Sequence, residues 1–156
     1  MKKIKHFIIY IVLQFLYRGL KVLYKNDSRI MYELDGWKSD KTLRLKIING
    51  PSITFQYTYL KGIKKLNSHD IDIDIIFKNM HTAFFVFIGL KSVKQAYLEH
   101  DFILKGDIFE SMRFVRCVDL VEIYLFPRFM TKRILNHHEK RYKPMLLVYL
   151  KAMLGG

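Results

Sequence analysis

Residues 42–59 alternate. Leu43, Leu45 and Ile47 fall on one side of an extended segment, with Arg44 and Lys46 on the other. After Asn49-Gly50-Pro51 the alternation resumes, with Ile53, Phe55, Tyr57 and Tyr59 set against Thr54, Gln56 and Thr58. Successive side chains of a strand point to opposite faces, so two such runs across a turn tripeptide predict a hairpin with one apolar face. Residues 70–77 alternate as well, Asp70, Asp72 and Asp74 interleaving with Ile71, Ile73 and Ile75. Period-2 spacing sets these aspartates in a row on one sheet face rather than around an ion, which predicts a solvated strand face. Residues 29–34 make a weaker strand candidate. Residues 61–69 read as a polar, basic connection, and residues 102–105 as a short strand broken by Gly106-Asp107.

Elsewhere the period is helical. Residues 79–90 predict a very apolar helix ending near Gly89, and residues 92–100 a short polar one. Asp107 and Glu110 have the spacing of a capping box and open a long helix over 108–125, which Pro127 ends or kinks. A basic helix over 128–136 and an apolar one over 145–154, begun by Pro144, complete the reading. Strands that are polar on one face require a sheet with helices on the other face only, an α+β architecture.

Residues 3–25 carry a different pattern. Lys3, His6, Tyr10, Gln14, Tyr17, Lys21 and Lys25 form one polar stripe at helical spacing. Ile4, Phe7, Ile8, Ile11, Val12, Phe15, Leu16, Leu20 and Leu23 fill a broad opposite face. The uncharged run from 7 to 17 is shorter than the roughly 20 residues a spanning helix needs, and Arg18 and Lys21 interrupt the apolar pattern just beyond it. A secretory signal has a similar start, but Leu16-Tyr17-Arg18 stands where a small-residue cleavage site belongs. Two readings remain open, a helix packed on the protein's own core and an interfacial helix lying on a membrane. The expected membrane-contact residues are Lys3, Phe7, Ile8, Ile11, Phe15, Arg18 and Lys21, with Arg128, Lys132 and Arg133 near the other end.

Charge sharpens this. The 156 residues carry a formal net charge of +13, with 51% hydrophobic and 15% aromatic residues. Residues 1–26 hold Lys2, Lys3, Lys5, Arg18, Lys21 and Lys25 and no acid, and residues 128–143 hold Arg128, Lys132, Arg133, Lys140, Arg141 and Lys143 against Glu139 alone. A chain this basic selects anionic partners, nucleic acid or lipid headgroups. The aromatics alternate into apolar faces instead of sitting among the basic residues, which disfavours nucleic-acid binding. Cys117 is the single cysteine, so no intrachain disulfide forms, and its plain role is a small apolar residue inside a helix. Abundant Lys, Ile, Asn and Tyr suggest an AT-rich bacterial genome.

Residues 42–127 resemble the sterol-carrier-protein-2 family. The likeness is carried by the hairpin, by IDIIFKNMHTAFFVFIGL (73–90), by FILKGD (102–107) and by the helix opening IFESMRF (108–114). Ile76-Phe77-Lys78-Asn79 stands where that family has a strand end leading into helices, and Leu104-Lys105-Gly106-Asp107 where a strand leads into the last helix. The resemblance implies a mostly antiparallel five-stranded sheet covered on one face by helices that enclose an apolar tunnel for a lipid tail. It implies lipid binding or transfer without catalysis. The chain departs from a minimal member in its greasy, basic N-terminal helix (1–26) and basic C-terminal extension (128–156), which flank a lipid-binding domain at 27–127. Helical spacing places Ala83, Phe84, Phe87 and Ile88 against Ile53, Phe55 and Tyr57, with Tyr97, Phe102, Phe109 and Met112 nearby. Twelve Phe and seven Met suit an adaptable apolar cavity. The same periodicity serves a solid core.

Catalytic patterns are absent. His6, His69, His81, His100, His137 and His138 form no metal-ligand spacing, and no nucleophile elbow, phosphate-binding glycine loop or dinucleotide fingerprint occurs. His69 and Asp74 share a spacing found in some acyltransferases but lack its context. The expectation is a cofactor-free, non-catalytic lipid binder, cytoplasmic and peripheral on the inner face of a membrane. Its expected partners are a lipid and an anionic membrane surface. The alternative is an accessory subunit whose partner is a lipid- or quinone-using enzyme.

Overall fold

The computed structural model describes residues 1–125, 150, 151 and 154. Helix α1 (Lys2–Asn26) leads into α2 (Ser28–Asp35), then β1 (Lys41–Ile47), β2 (Ser52–Thr58), β3 (Gly62–Lys65) and β4 (Ile73–Phe77). Helices α3 (Met80–Phe87) and α4 (Val93–Leu98), strand β5 (Phe102–Lys105) and helix α5 (Ile108–Leu125) come next along the chain. The sheet runs β3-β2-β1-β4-β5. β1 and β4 pair in parallel and the other neighbours are antiparallel, so the sheet is mixed.

The hairpin has the register its alternation requires: Leu43 pairs Phe55 and Leu45 pairs Ile53, all buried. Two expectations change. Residues 29–34 are helical, because the Asp27 carboxylate accepts the Arg29 backbone N–H at 3.0 Å as an N-cap, and Ile30 and Leu34, four apart, turn inward together. The fifth strand is β3, inside the segment read as a basic connection. Only Ile63 there combines an apolar side chain with burial, which leaves no period to read.

The expected solvated face of 70–77 also fails at one position. Asp74 is 5% exposed, covered by Arg44 on the paired strand, whose Nε donates to Asp74 Oδ1 at 3.0 Å while its Nη2 reaches Oδ2. Asp72 precedes the strand and accepts the Thr42 N–H at 2.8 Å. The 108–125 helix stands as expected, with Asp107 Oδ1 accepting the Glu110 N–H at 2.9 Å. The Glu110 carboxylate goes instead to Lys41 at 2.9 Å.

The described helices cover one face. α1 lies along the β2–β3 side: Tyr17 packs on Phe55 and Tyr24 on Tyr57, each with ring centroids 5.9 Å apart. Phe114 of α5 also meets Phe55 at 5.9 Å. The expected facing of α3 toward Ile53, Phe55 and Tyr57 does not occur. α3 packs on β4, Phe87 lying 5.3 Å from Phe77, because β4 sits beyond β1 in the sheet order. α1 and α5 approach closely at Gly19, where an added Cβ would stand 2.9 Å from Val121 Cγ1.

Acids tie the helices together. Asp27, 1% exposed, takes Arg29 Nε at 3.0 Å, Arg29 Nη2 at 2.7 Å and the Tyr124 hydroxyl of α5 at 2.8 Å. Burial alone raises its carboxyl, but these bonds outweigh it and hold the group below its ordinary value. Asp35 accepts the hydroxyls of Tyr24 and Tyr57. Burial, then the Asp35 hydrogen bond, pushes the Tyr24 hydroxyl up to about 12. Glu122 has no such support. It is 3% exposed and its Oε2 lacks a hydrogen-bond partner among the described residues. Burial, then the Asp119 charge, raises its carboxyl well above the ordinary 4.5.

Stability should respond at two positions. Gly19→Leu should cost about 1–3 kcal/mol in urea unfolding by forcing α1 off α5. Glu122→Gln should gain on the natural chain as pH rises. Above pH 4.5 the unfolded chain ionises while the fold keeps Glu122 protonated, which costs up to about 1.4 kcal/mol per pH unit. A gap in stability that does not widen between about pH 5 and about pH 8 means Glu122 is not held neutral.

Candidate functional site

The expected tunnel residues occupy three different settings. Ile53, Phe55, Tyr57, Phe87 and Phe102 are buried, Phe84, Ile88 and Met112 half-buried, and Tyr97 exposed at an edge. Phe109 is 80% exposed and points away from the interior. It occupies the first turn of α5, ahead of the residues that α4 covers. The interior is closed among the described residues. A void of about 10 Å³ lies between Leu16, Leu45, Phe77, Phe87 and Val118, and one of about 20 Å³ between Tyr97, Phe102, Met112 and Val115. A single water needs roughly 10–15 Å³. Leu16 shows why the space is filled: α1 occupies it. Sequence periodicity does not connect Leu16, Leu45, Phe77 and Val118 with this space, since they come from four separate elements.

α1 has two apolar edges rather than one broad face. Ile9, Leu13, Leu16, Leu20 and Leu23, at spacings of four and three, are buried. The other edge emerges at the front: Ile4 is 63% exposed, Phe7 64% and Ile11 36%. Of the expected membrane-contact residues, Lys3, Phe7 and Ile11 are therefore exposed, and Ile8, Phe15, Arg18 and Lys21 half-buried. Arg128, Lys132 and Arg133 lie outside the described residues, as do the predicted helix over 128–136 and most of that over 145–154. By length and composition α1 suffices to cross a membrane, yet 44% of its apolar window is buried inside the protein. Its polar stripe lies partly against the sheet edge, where Tyr17 Oη accepts the Lys65 N–H of β3 at 2.9 Å.

The front of α1 borders a groove of about 680 Å³. Its walls are Lys2, Lys3, His6, Phe7 and Tyr10 of α1, Ile48 and Asn49 of the β1–β2 turn, and Lys78, Asn79 and Met80 where β4 enters α3. Gly50 allows this closeness, since a Cβ there would meet Met80 Cε at 2.8 Å. Asn79 caps α3, accepting the Thr82 N–H at 2.8 Å. Lys5 sits 5.7 Å over the Phe84 ring. No carboxylate of the described residues lines the groove. Ile48, 42% exposed beyond the hairpin's alternation, is the one local signal of it.

No catalytic arrangement forms among the described residues, where no three His, Cys, Asp or Glu gather as a metal site. His69 is exposed in a loop while Asp74 is committed to Arg44. Cys117 is buried, and burial pushes its thiol up, so it is no thiolate nucleophile.

No protein-family model matches the chain, and no curated protein matches it. Three solved structures are similar. Sterol carrier protein 2 from Yarrowia lipolytica, in its apo form, is 13% identical with a TM-score of 0.49, over 73% of this chain and 91% of that one. A ubiquinone synthesis protein, UbiJ-SCP2, is 20% identical with a TM-score of 0.39, over 79% of this chain and 94% of that one. Sterol carrier protein 2 like 2 from Aedes aegypti is 12% identical with a TM-score of 0.36, over 49% and 70%. All three carry the name of the family that residues 42–127 resemble.

Exposure separates the two edges of α1 in a testable way. The double change Ile4→Ser and Phe7→Ser should leave urea stability within about 0.5 kcal/mol. Leu13→Ala, on the buried edge, should cost about 2–5 kcal/mol. Comparable losses at both edges would mean that the front of α1 is packed.

Proposed function

We propose that this chain is a non-catalytic lipid-handling protein that works while docked on an anionic membrane, peripheral and on the cytoplasmic side. The observation that carries the reading is the front of α1, where Ile4, Phe7 and Ile11 stand exposed beside Lys2, Lys3 and Lys5. An interfacial helix sinks its apolar edge roughly 5–10 Å into the headgroup region. Burying Phe7 contributes at most about 1.5–3 kcal/mol, and each lysine near an anionic surface about 1 kcal/mol. The rear of α1 is fixed to the core, so docking orients the whole sheet layer against the bilayer. The basic residues Arg128, Lys132 and Arg133 add to the same attraction.

The reading differs from a preformed tunnel. Among the described residues, a tail enters the interior by displacing Phe87, Phe102 or Met112 from around the two small voids. Lipid is therefore first engaged at the surface, and Met112 and the phenylalanines are the side chains whose movement admits it.

A second reading, accessory subunit of a lipid- or quinone-using enzyme, draws on Ile108 and Phe109, 46% and 80% exposed at the start of α5. Phe109→Ser would then leave vesicle binding intact while abolishing function in cells.

Flotation of the full chain with vesicles tests the docking. The protein should float with phosphatidylcholine vesicles containing phosphatidylglycerol, be released as salt rises, and stay behind with phosphatidylcholine alone. The double Ile4→Ser, Phe7→Ser variant should bind about tenfold more weakly or worse. A natural chain that does not float, or a variant that floats equally well, overturns the reading.

A further inference from the structure

Resting on the docking reading, the geometry points to the groove beside α1 as a binding site for one phosphate-bearing lipid headgroup. Lys2, Lys3 and His6 come from α1 and Lys78 from the end of β4, and all four line one concavity. None has a carboxylate partner among the described residues, whereas Lys41, Lys91, Arg44, Arg113 and Arg116 each hold one. The three lysines, gathered without acids, repel one another, and an anion between them removes that cost. Each lysine brings three donors and no acceptor, which suits phosphate oxygens.

The apolar part of the lining decides the source of the phosphate. Phe7, Tyr10, Ile48 and Met80 share the groove with the cations. Free phosphate has no use for such walls, whereas the glycerol and first methylenes of a phospholipid do. The volume, about 680 Å³, falls within the roughly 300–1,000 Å³ of small-molecule sites. The groove also adjoins the exposed edge formed by Ile4 and Phe7, so a lipid seated there keeps its tails in the bilayer that α1 enters. The occupant is an anionic glycerophospholipid, held by its headgroup. Lys78 discriminates this site from general attraction, because it lies off α1 and its side chain takes no part in the core.

The test titrates dihexanoyl phosphatidic acid, below its micelle concentration, into the isotope-labelled full chain and monitors backbone amide signals. Saturable shifts are expected at Ile48, Asn49, Lys78 and Asn79. Lys78→Gln should weaken binding about fivefold, as the loss of about 1 kcal/mol predicts, and Lys2→Gln with Lys3→Gln should weaken it further. Dihexanoyl phosphatidylcholine and inorganic phosphate should each bind far more weakly. Lys78→Gln should still float with anionic vesicles, since Ile4 and Phe7 are untouched. The proposal is overturned if no saturable shift occurs, if Lys78→Gln binds as the natural chain does, or if inorganic phosphate binds as tightly as the lipid. Failure of flotation with the amide shifts retained would overturn the docking reading and leave the site standing.

Discussion

Five side chains on one edge of α1, from Ile9 to Leu23, are buried in the core between the sheet and the other helices, and the rest of the molecule is arranged around that edge. The sheet has an apolar inner face and a polar outer one, so something must cover β2 and β3, which α3 does not reach. α1 does this, with Tyr17 on Phe55 and Tyr24 on Tyr57. At the front of α1, Ile9 stays buried and Lys5 lies over Phe84 of α3, while the second apolar edge, Ile4, Phe7 and Ile11, is left uncovered. Gly19 sets how near α1 and α5 come, and so how completely the interior closes. Burial at the rear and exposure at the front are thus two consequences of one packing arrangement.

Buried acids hold this arrangement in register. A carboxylate taken from water is tolerated only when hydrogen bonds and opposite charge replace its hydration. Asp27 meets that condition at the joint between α1 and α2, and its bond from Tyr124 draws α5 to the same point. Asp35 meets it by accepting Tyr24 of α1 and Tyr57 of β2. Glu33 binds Arg113 and Arg116 of α5. These contacts fix the angle at which α1 leaves the core, and with it the direction of the exposed front. Glu122 is the exception: it is buried with no partner for Oε2 among the described residues, and burial raises its carboxyl well above the ordinary value on the helix that packs against α1.

The placement of charge then acquires a direction. On the outer sheet face Arg44 is neutralised by Asp74. Around the groove by α1 no described carboxylate neutralises the lysines, and they sit with exposed aromatic and aliphatic side chains. An end that is both cationic and apolar matches the boundary of an anionic bilayer better than it matches water. The interior beside that end is closed among the described residues, so on the proposed reading a lipid is met first at the surface and core side chains there move to admit it.

Much of the architecture is legible along the chain. The β1–β2 hairpin, the strand ending at Phe77 and the helix over 108–125 come from periodicity and turn chemistry, because neighbours within a few residues decide them. The helix at 28–35 and the strand at 62–65 are not legible, since Ile30, Tyr32 and Leu34 fit an alternating pattern as well as a helical one and Ile63 stands alone. By itself the sequence determined that α1 is an amphipathic helix with a cationic start, that one sheet face is apolar, and that it carries no recognisable catalytic motif. Only the tertiary structure decided which of the two apolar edges of α1 is used inside, that the interior is closed among the described residues, and that Lys78 joins Lys2, Lys3 and His6 around one groove. The reason is physical: a periodic pattern says that a face will be buried, but not against what. A site assembled from residues 2–10, 48–49 and 78–80 exists only once the strand order has brought those segments to one end.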